Sequence, residues 1–332
     1  MAPAWDLSFV NMQVLFNELP GVYIPLKDFA QVRHAWWADN GTLEESFQVC
    51  QFNLILHFGY EVSAEEGLAV FQKVCELTRD YPCRVWVICP QREKAIGIEA
   101  KLFGICHLLE SHSYQKRICE AIIVKAAAED LVQLYDWISS RSDNDLPLYF
   151  LSHKSLEQID LNILNHLTRH AKKILWDSSL ESCPDTLNRI TVDLSSIKLT
   201  PLRQSLGYFL ADYSPEVLIQ GLQSIAITTP SDDASAHLIG NWLQERLMAC
   251  AALAKMAPQF PIHYNCDPKK PQGMGIEWIY DTPQKFIQWE YHLNEKGVRI
   301  TACLDGHITN AHQSLTELNW QEALQTAIFS QI

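Results

Sequence analysis

Between Gln48 and Trp176, short apolar runs of strand length alternate with helical segments, and this alternation restricts the fold more than any other feature of the chain. Phe52–Phe58 (FNLILHF) is the first such run, and Ser63 follows it with Glu66 three residues on. That spacing is a capping box and predicts an amphipathic helix over Ala64–Thr78. Asp80-Tyr81-Pro82 stops the helix, and Cys83–Cys89 (CRVWVIC) is a second strand. Ile96–Leu109 is predicted to pair with Ile118–Lys125. A helix over Glu129–Ser139, a strand over Leu148–Leu151, a helix over Ser155–Arg169 and a strand over Lys173–Trp176 follow. Strands alternating with helices of about 10–15 residues predict an α/β fold: a mixed sheet with helices on its faces. Strand order cannot be read from such a pattern.

The two ends differ from this middle. Pro3, Pro20-Gly21 and Pro25 punctuate the start, leaving a short helical pattern around Trp5–Leu19 and a Trp36-Trp37 anchor. Residues 1–44 therefore read as an irregular N-terminal arm and 45–184 as the α/β domain. Past the turn-rich Asp177–Asp185 the spacing changes. Thr200 is expected to cap a helix over Leu202–Asp212 with Pro201 at its first position, and Ala234–Met256 is a long helical region. Ile276–Tyr280, Phe286–Leu293 and Val298–Cys303 are spaced as a meander, and Asn319 is a plausible cap for a helix over Trp320–Phe329. Residues 185–332 are expected to form an α+β domain with a mostly antiparallel sheet.

Charge narrows the partners. The 332 residues carry 26 Lys+Arg against 39 Asp+Glu, a net charge of −13. With no basic stripe to neutralise phosphates, nucleic acid and anionic membranes are not expected partners. The apolar runs fall short of a bilayer span and the segment after Met1 lacks the parts of a signal peptide, so the chain reads as soluble and cytoplasmic. Its 10 cysteines include no C-x-x-C pair and lie mostly in apolar stretches, as reduced buried thiols do.

Catalytic signatures are sparse. There is no glycine loop for a nucleotide phosphate and no nucleophile elbow, so no cofactor is expected. His166 and His170 stand four apart on a predicted helix, but HLTRH lacks the catalytic Glu and Arg169 would repel a cation; no metal is expected. Asp177-Ser178-Ser179 follows a strand directly, where an acid of an open sheet could meet a ligand or could simply cap a turn. Glu120 sits within the apolar strand ICEAIIVK and, once buried, needs a partner such as Arg84 or Arg117.

Three collinear segments carry a resemblance: Tyr81–Cys89, then Cys119-Glu120 running on to Asp145-Leu146-Pro147-Leu148-Tyr149-Phe150, then Asp177-Ser178 with Asp193–Arg203 (DLSSIKLTPLR) and Asn241-Trp242-Leu243. Over roughly residues 45–250 the chain resembles the glucose-6-phosphate dehydrogenase assembly protein, the OpcA family. The resemblance implies a non-catalytic protein that binds glucose-6-phosphate dehydrogenase and favours its assembled, active form in the oxidative pentose phosphate pathway. The positions it marks are Arg84, Glu120, Asp145, Pro147, Asp177, Ser178, Asp193, Pro201 and Arg203. It departs at Leu151-Ser152-His153, at Lys198 and after Ala251. Under this reading Arg84 and Glu120 hold adjacent strands together, while Asp177, Ser178 and Arg203 line a cleft between the domains. Tyr149, Phe150 and Arg203 are of the kinds that dominate interfaces. The alternative is a sugar-phosphate sensor or enzyme using that cleft, with Arg203 on the phosphate and Asp177 as base.

Overall fold

Every residue of Phe52–Phe58 is buried, a state open to a strand only at the centre of a sheet covered on both faces. The computed structural model describes residues 7–40, 46–48, 50–92, 97–108, 116–141, 146–184, 187, 190–231, 234–257, 259–269 and 273–330. The chain divides into two compact units: Met1–Leu194 with Leu324–Ile332, and Ser195–Ala323.

In the first unit the elements run α1 (Leu7–Glu18), β1 (Val22–Ile24), α2 (Phe29–Asn40), β2 (Ser46–Gln48), β3 (Phe52–Phe58), α3 (Ala64–Asp80), β4 (Cys83–Gln91), β5 (Glu99–Leu108) and β6 (Lys116–Ala127). Next come α4 (Leu131–Arg141), β7 (Leu148–His153), α5 (Leu161–His170), β8 (Ala171–Trp176) and β9 (Thr191–Asp193). The sheet order is β1-β5-β6-β4-β3-β7-β8-β9, with β2 also on β6. Strands β6, β4, β3, β7, β8 and β9 are mutually parallel, whereas β5 and β1 run antiparallel to their neighbours. The sheet is therefore mixed. Ile55, Trp86, Ile122 and Phe150 form one core with side chains of α2, α4 and α5; α1 and α3 pack against each other in the same unit.

The second unit continues with α6 (Leu194–Lys198), α7 (Thr200–Leu210), α8 (Pro215–Ile219), β10 (Leu222–Thr229), α9 (Ala234–Leu253), β11 (Ile262–Cys266), β12 (Gly273–Tyr280), β13 (Phe286–His292), β14 (Gly297–Cys303) and β15 (Ile308–Ser314), and the closing helix α10 (Trp320–Phe329) belongs to the first unit from Leu324 on. Its sheet, β11-β10-β12-β13-β14-β15, is antiparallel except for the β10–β11 pair. Period-two alternation sends Ile276, Trp278, Ile287, Trp289 and Ile300 into a core with α7 and α9, leaving Glu277, Gln288 and Glu290 exposed.

Local signals act as the physics requires. The Ser63 hydroxyl accepts from the Glu66 N–H at 3.1 Å. Asn319 Oδ1 accepts from the N–H of Gln321 and Glu322, while Glu322 accepts from the Asn319 N–H, closing a capping box. Helix ends are also capped from a distance. Buried Lys101 donates to the carbonyls of Phe16, Asn17 and Leu19 at 2.7, 3.1 and 3.0 Å, closing the end of α1. Lys173 does the same for α10 through Ala327 and Ser330 at 2.7 and 2.6 Å. A cation placed there meets both the orphan carbonyls and the negative end of the helix dipole.

Several expectations change. The N-terminal segment is not an irregular arm: β1 extends the sheet through β5, and α2 buries Phe29 against Trp86 and Trp137. The first unit runs on to Leu194 because β9 hydrogen-bonds to β8, so it does not stop at 184, and its last residues return as 324–332. The helix expected over Ser155–Arg169 begins only at Leu161, where the Asp160 side chain accepts from the Asn162 N–H. Thr200 lies inside α7, whose cap position is Leu199, because α6 immediately precedes it. No helix among the described residues is long and apolar enough to cross a membrane.

His57, on β3, is 2 % exposed, and neither ring nitrogen has a hydrogen-bond partner among the described residues. Burial pushes the ring's pKa down to about 3. Its folded value is depressed, so the stability it contributes is complete above the unfolded value near 6.5 and is lost as pH falls toward 3. At about 1.4 kcal/mol per pH unit the loss reaches about 5 kcal/mol. Urea unfolding followed across this window should show that slope in the parent chain and a flatter one in His57→Phe.

Candidate functional site

The parallel strands of the first unit follow the order of doubly wound sheets, in which ligands bind beyond the carboxyl ends of the strands, where successive crossovers turn in opposite directions. Here that point lies between β3 and β7. Gly59 follows β3 directly, and a Cβ on it would run into the Lys154 carbonyl, so only glycine lets the two strand ends close. Lys154 itself has φ +60°, an unusual backbone for a side-chain-bearing residue, directly after β7.

These turns converge charges. Glu66, in the first turn of α3, accepts from Lys154 Nζ at 2.6 Å and His153 Nε2 at 2.9 Å. Burial pushes the Glu66 carboxyl up, but the bonds from Lys154 and His153 outweigh it and hold it below its usual range. Burial lowers the His153 ring, against Glu66 and the Asp177 carboxylate, which raise it. Beside them Glu181 Oε2 accepts from the Ser152 hydroxyl at 2.9 Å and the Leu156 N–H at 2.7 Å, and Ser152 bonds Ser155 at 2.8 Å. Burial raises the Glu181 carboxyl despite these donors.

Two predicted site residues adjoin this edge. Asp177 is 4 % exposed; its side chain accepts from the Ser179 N–H at 3.0 Å, and its carbonyl accepts from the N–H groups of Leu180 and Glu181. It therefore starts the turn that carries Glu181 to β7. Ser178 donates from its N–H and hydroxyl to Asp193 at 3.0 and 2.8 Å, tying the ends of β8 and β9 together. At the start of α3, the position where doubly wound nucleotide-binding proteins hold phosphate, this chain places Glu65 and Glu66. The edge is a network of the protein's own charges and hydroxyls.

The remaining predicted residues lie elsewhere. Arg84 and Glu120 stand side by side, one step along the β4–β6 ladder from Val85 and Ala121, and form an ion pair. Arg33 on α2 adds two bonds to the same carboxylate, both 2.7 Å, and Trp37 Nε1 a third at 3.1 Å. Burial pushes the Glu120 carboxyl up, but the two guanidinium groups prevail and hold it low. Tyr149 is 3 % exposed and packs edge-on to Phe52 at 5.5 Å, a core ring. The Pro147 carbonyl accepts from the Asn53 N–H at 2.9 Å. Asp145 lies outside the described residues. Arg203 belongs to the second unit, where it donates to the Ser196 carbonyl and hydroxyl and to the Thr200 hydroxyl at 2.6, 3.1 and 3.2 Å, closing α6. Asp177 and Ser178 belong to the first. Arg33, Trp37, His153, Lys154 and Glu181 were not predicted as site residues, because no local signal marks residues that meet only through strand order.

Fold and edge thus define a two-unit α/β protein with a mixed first sheet and a mostly antiparallel second one. No family model matches the chain. A stretch of 104 residues is 27 % identical to the Putative OxPP cycle protein OpcA of Synechocystis, covering 31 % of this chain. The aligned part spans 22 % of that protein's length.

Replacing Glu120 by Gln leaves the buried Arg84 guanidinium without its counter-charge and is expected to cost about 3–5 kcal/mol in urea unfolding. Because the Glu120 carboxyl is depressed in the folded state, its contribution is present above the ordinary carboxylate range and lost as pH falls through its folded value. That part of the acid-side slope should be missing from Glu120→Gln.

Proposed function

We propose that this chain is a non-catalytic assembly factor and allosteric activator of glucose-6-phosphate dehydrogenase in the cytoplasm, acting in the oxidative pentose phosphate pathway. The observation that carries the reading is the similarity, over 104 residues, to the Synechocystis protein named for the OxPP cycle. The geometry is compatible in one specific respect. The edge of the first sheet is occupied by Glu66, His153, Lys154 and Glu181 bonded to one another or to neighbouring backbone, an arrangement suited to presenting a fixed polar surface to a protein.

An activator of this kind works by binding the active conformation more tightly than the inactive one. A preference of about 3 kcal/mol shifts the balance about 150-fold. No covalent step by the chain is needed.

Dehydrogenase from the same organism, assayed at limiting substrate with an equimolar amount of this chain, should show a lower apparent KM or a higher kcat. The two proteins should co-elute on a sizing column. Unchanged kinetics with separate elution would overturn the reading. A glucose 6-phosphate-dependent rise in the melting temperature of the isolated chain would favour the sugar-phosphate sensor instead.

A further inference from the structure

From Leu247 to Leu253 the helix α9 reads LMACAAL, about two turns without a polar side chain. A helix at the edge of a fold keeps one face polar, and a helix apolar all round is one that is covered all round. Ile239, Leu243, Leu247 and Ala251 are buried in the core of the second unit, which accounts for one face. The opposite face is bare. Met248 is 45 % exposed, Leu253 74 % and Met256, just past the helix, 38 %, and Ala249 and Ala252 are exposed between them. Single apolar residues on a surface need no explanation, whereas a contiguous patch of this kind marks an interaction site. Nothing in the assembly reading uses this face.

Charge indicates what covers it. The chain carries a net charge of −13, so two copies repel one another over most of their surface. Over residues 241–256 that acidic excess is absent, because Glu245 stands with Arg246 and Lys255. Glu245 is exposed at one end of the patch and Lys255 at the other. The helix stops in a turn in which the Lys255 N–H bonds the Ala252 carbonyl at 3.2 Å and the Met256 N–H the Ala251 carbonyl at 2.9 Å. Lys255 has φ +56° there, at the left-handed stop position where glycine is usual, so the stop carries a cation. An apolar patch with an anion at one end and a cation at the other is complementary to itself when turned end for end, which is the requirement for a two-fold symmetric contact.

Side-chain size fixes the register. Glu245, Ala249 and Ala252 are spaced by four and then three residues and share one face of the helix. Two antiparallel copies of α9 pack large against small when Met248 of each lies level with Ala252 of the other. Three residues further out in each direction, that register sets Glu245 of one copy level with Lys255 of the other, once at each end of the contact. The alanines near the two-fold axis let the backbones approach. We infer that α9 is the interface of a two-fold symmetric dimer, packed antiparallel on α9 of a second copy of this chain. One helix face covers less than the about 800 Å² per copy of a standard interface, so the dimer is a weak one that forms at micromolar concentration.

The test is sedimentation equilibrium of the full chain from about 5 to about 500 µM at about 0.15 M salt. A monomer–dimer equilibrium with a Kd of about 10–100 µM is expected. Ala252→Arg, at an exposed position within the patch, should weaken it about tenfold or more while melting like the parent at low concentration. Glu245→Lys and Lys255→Glu each set like charges level with one another and should weaken self-association about fivefold or more. An equimolar mixture of these two variants should regain the parent's affinity to within about twofold, because both contacts of the mixed dimer then join opposite charges. Three results would overturn the proposal: a monomer across the whole range, a dimer that Ala252→Arg leaves intact, or charge reversals whose mixture associates no better than each alone. Self-association is read without the dehydrogenase, so it and the assembly reading can fail independently.

Discussion

A parallel strand with every residue buried is stable only if hydrogen-bonded strands flank it and packed side chains cover both its faces. β3 is such a strand, and much of the first unit follows from meeting its requirements. β4 and β7 supply the flanks. Parallel neighbours need crossovers, and helices are the compact way to make them while covering the faces. The same burial makes β3's polar residues costly: the side chains of Asn53 and His57 are buried without hydrogen-bond partners among the described residues.

Buried charges are treated differently from buried neutral groups. The Glu120 carboxylate is matched by Arg84 on the adjacent strand and by Arg33 and Trp37 on α2. This single anion therefore joins two strands and a helix. Lys101 and Lys173, also drawn inward from strands, are directed to helix C-terminal carbonyls, where their charge is favoured. In each case a charge that would be expensive to bury alone is placed where several dipoles or counter-charges surround it.

At the carboxyl edge the same principle bears on function. A helix N-terminus at the reversal of strand order is ordinarily open to an anion from outside; here Glu66 occupies it, and Lys154 and His153 neutralise the carboxylate.

Much of the secondary structure was legible in the residues themselves. The fully apolar FNLILHF, the Ser63–Glu66 and Asn319–Glu322 capping boxes, and the alternating pattern of β12 to β14 are local signals, and local backbone and solvation preferences decide them. That a buried Glu120 needs a cation, Arg84 or Arg117, was legible for a similar reason, and the strand pairing supplies Arg84. Tertiary structure alone decided the rest. Strand order, which brings Glu66 to His153, depends on how crossovers pack and leaves no trace in periodicity. The N-terminal segment gains its helices and strand from Lys101, Glu120 and the edge of β5, groups that lie far along the chain. Sequence determines which stretches must be buried or capped; only the packed chain determines which distant groups satisfy them, because that choice is a matter of three-dimensional geometry and long-range electrostatics.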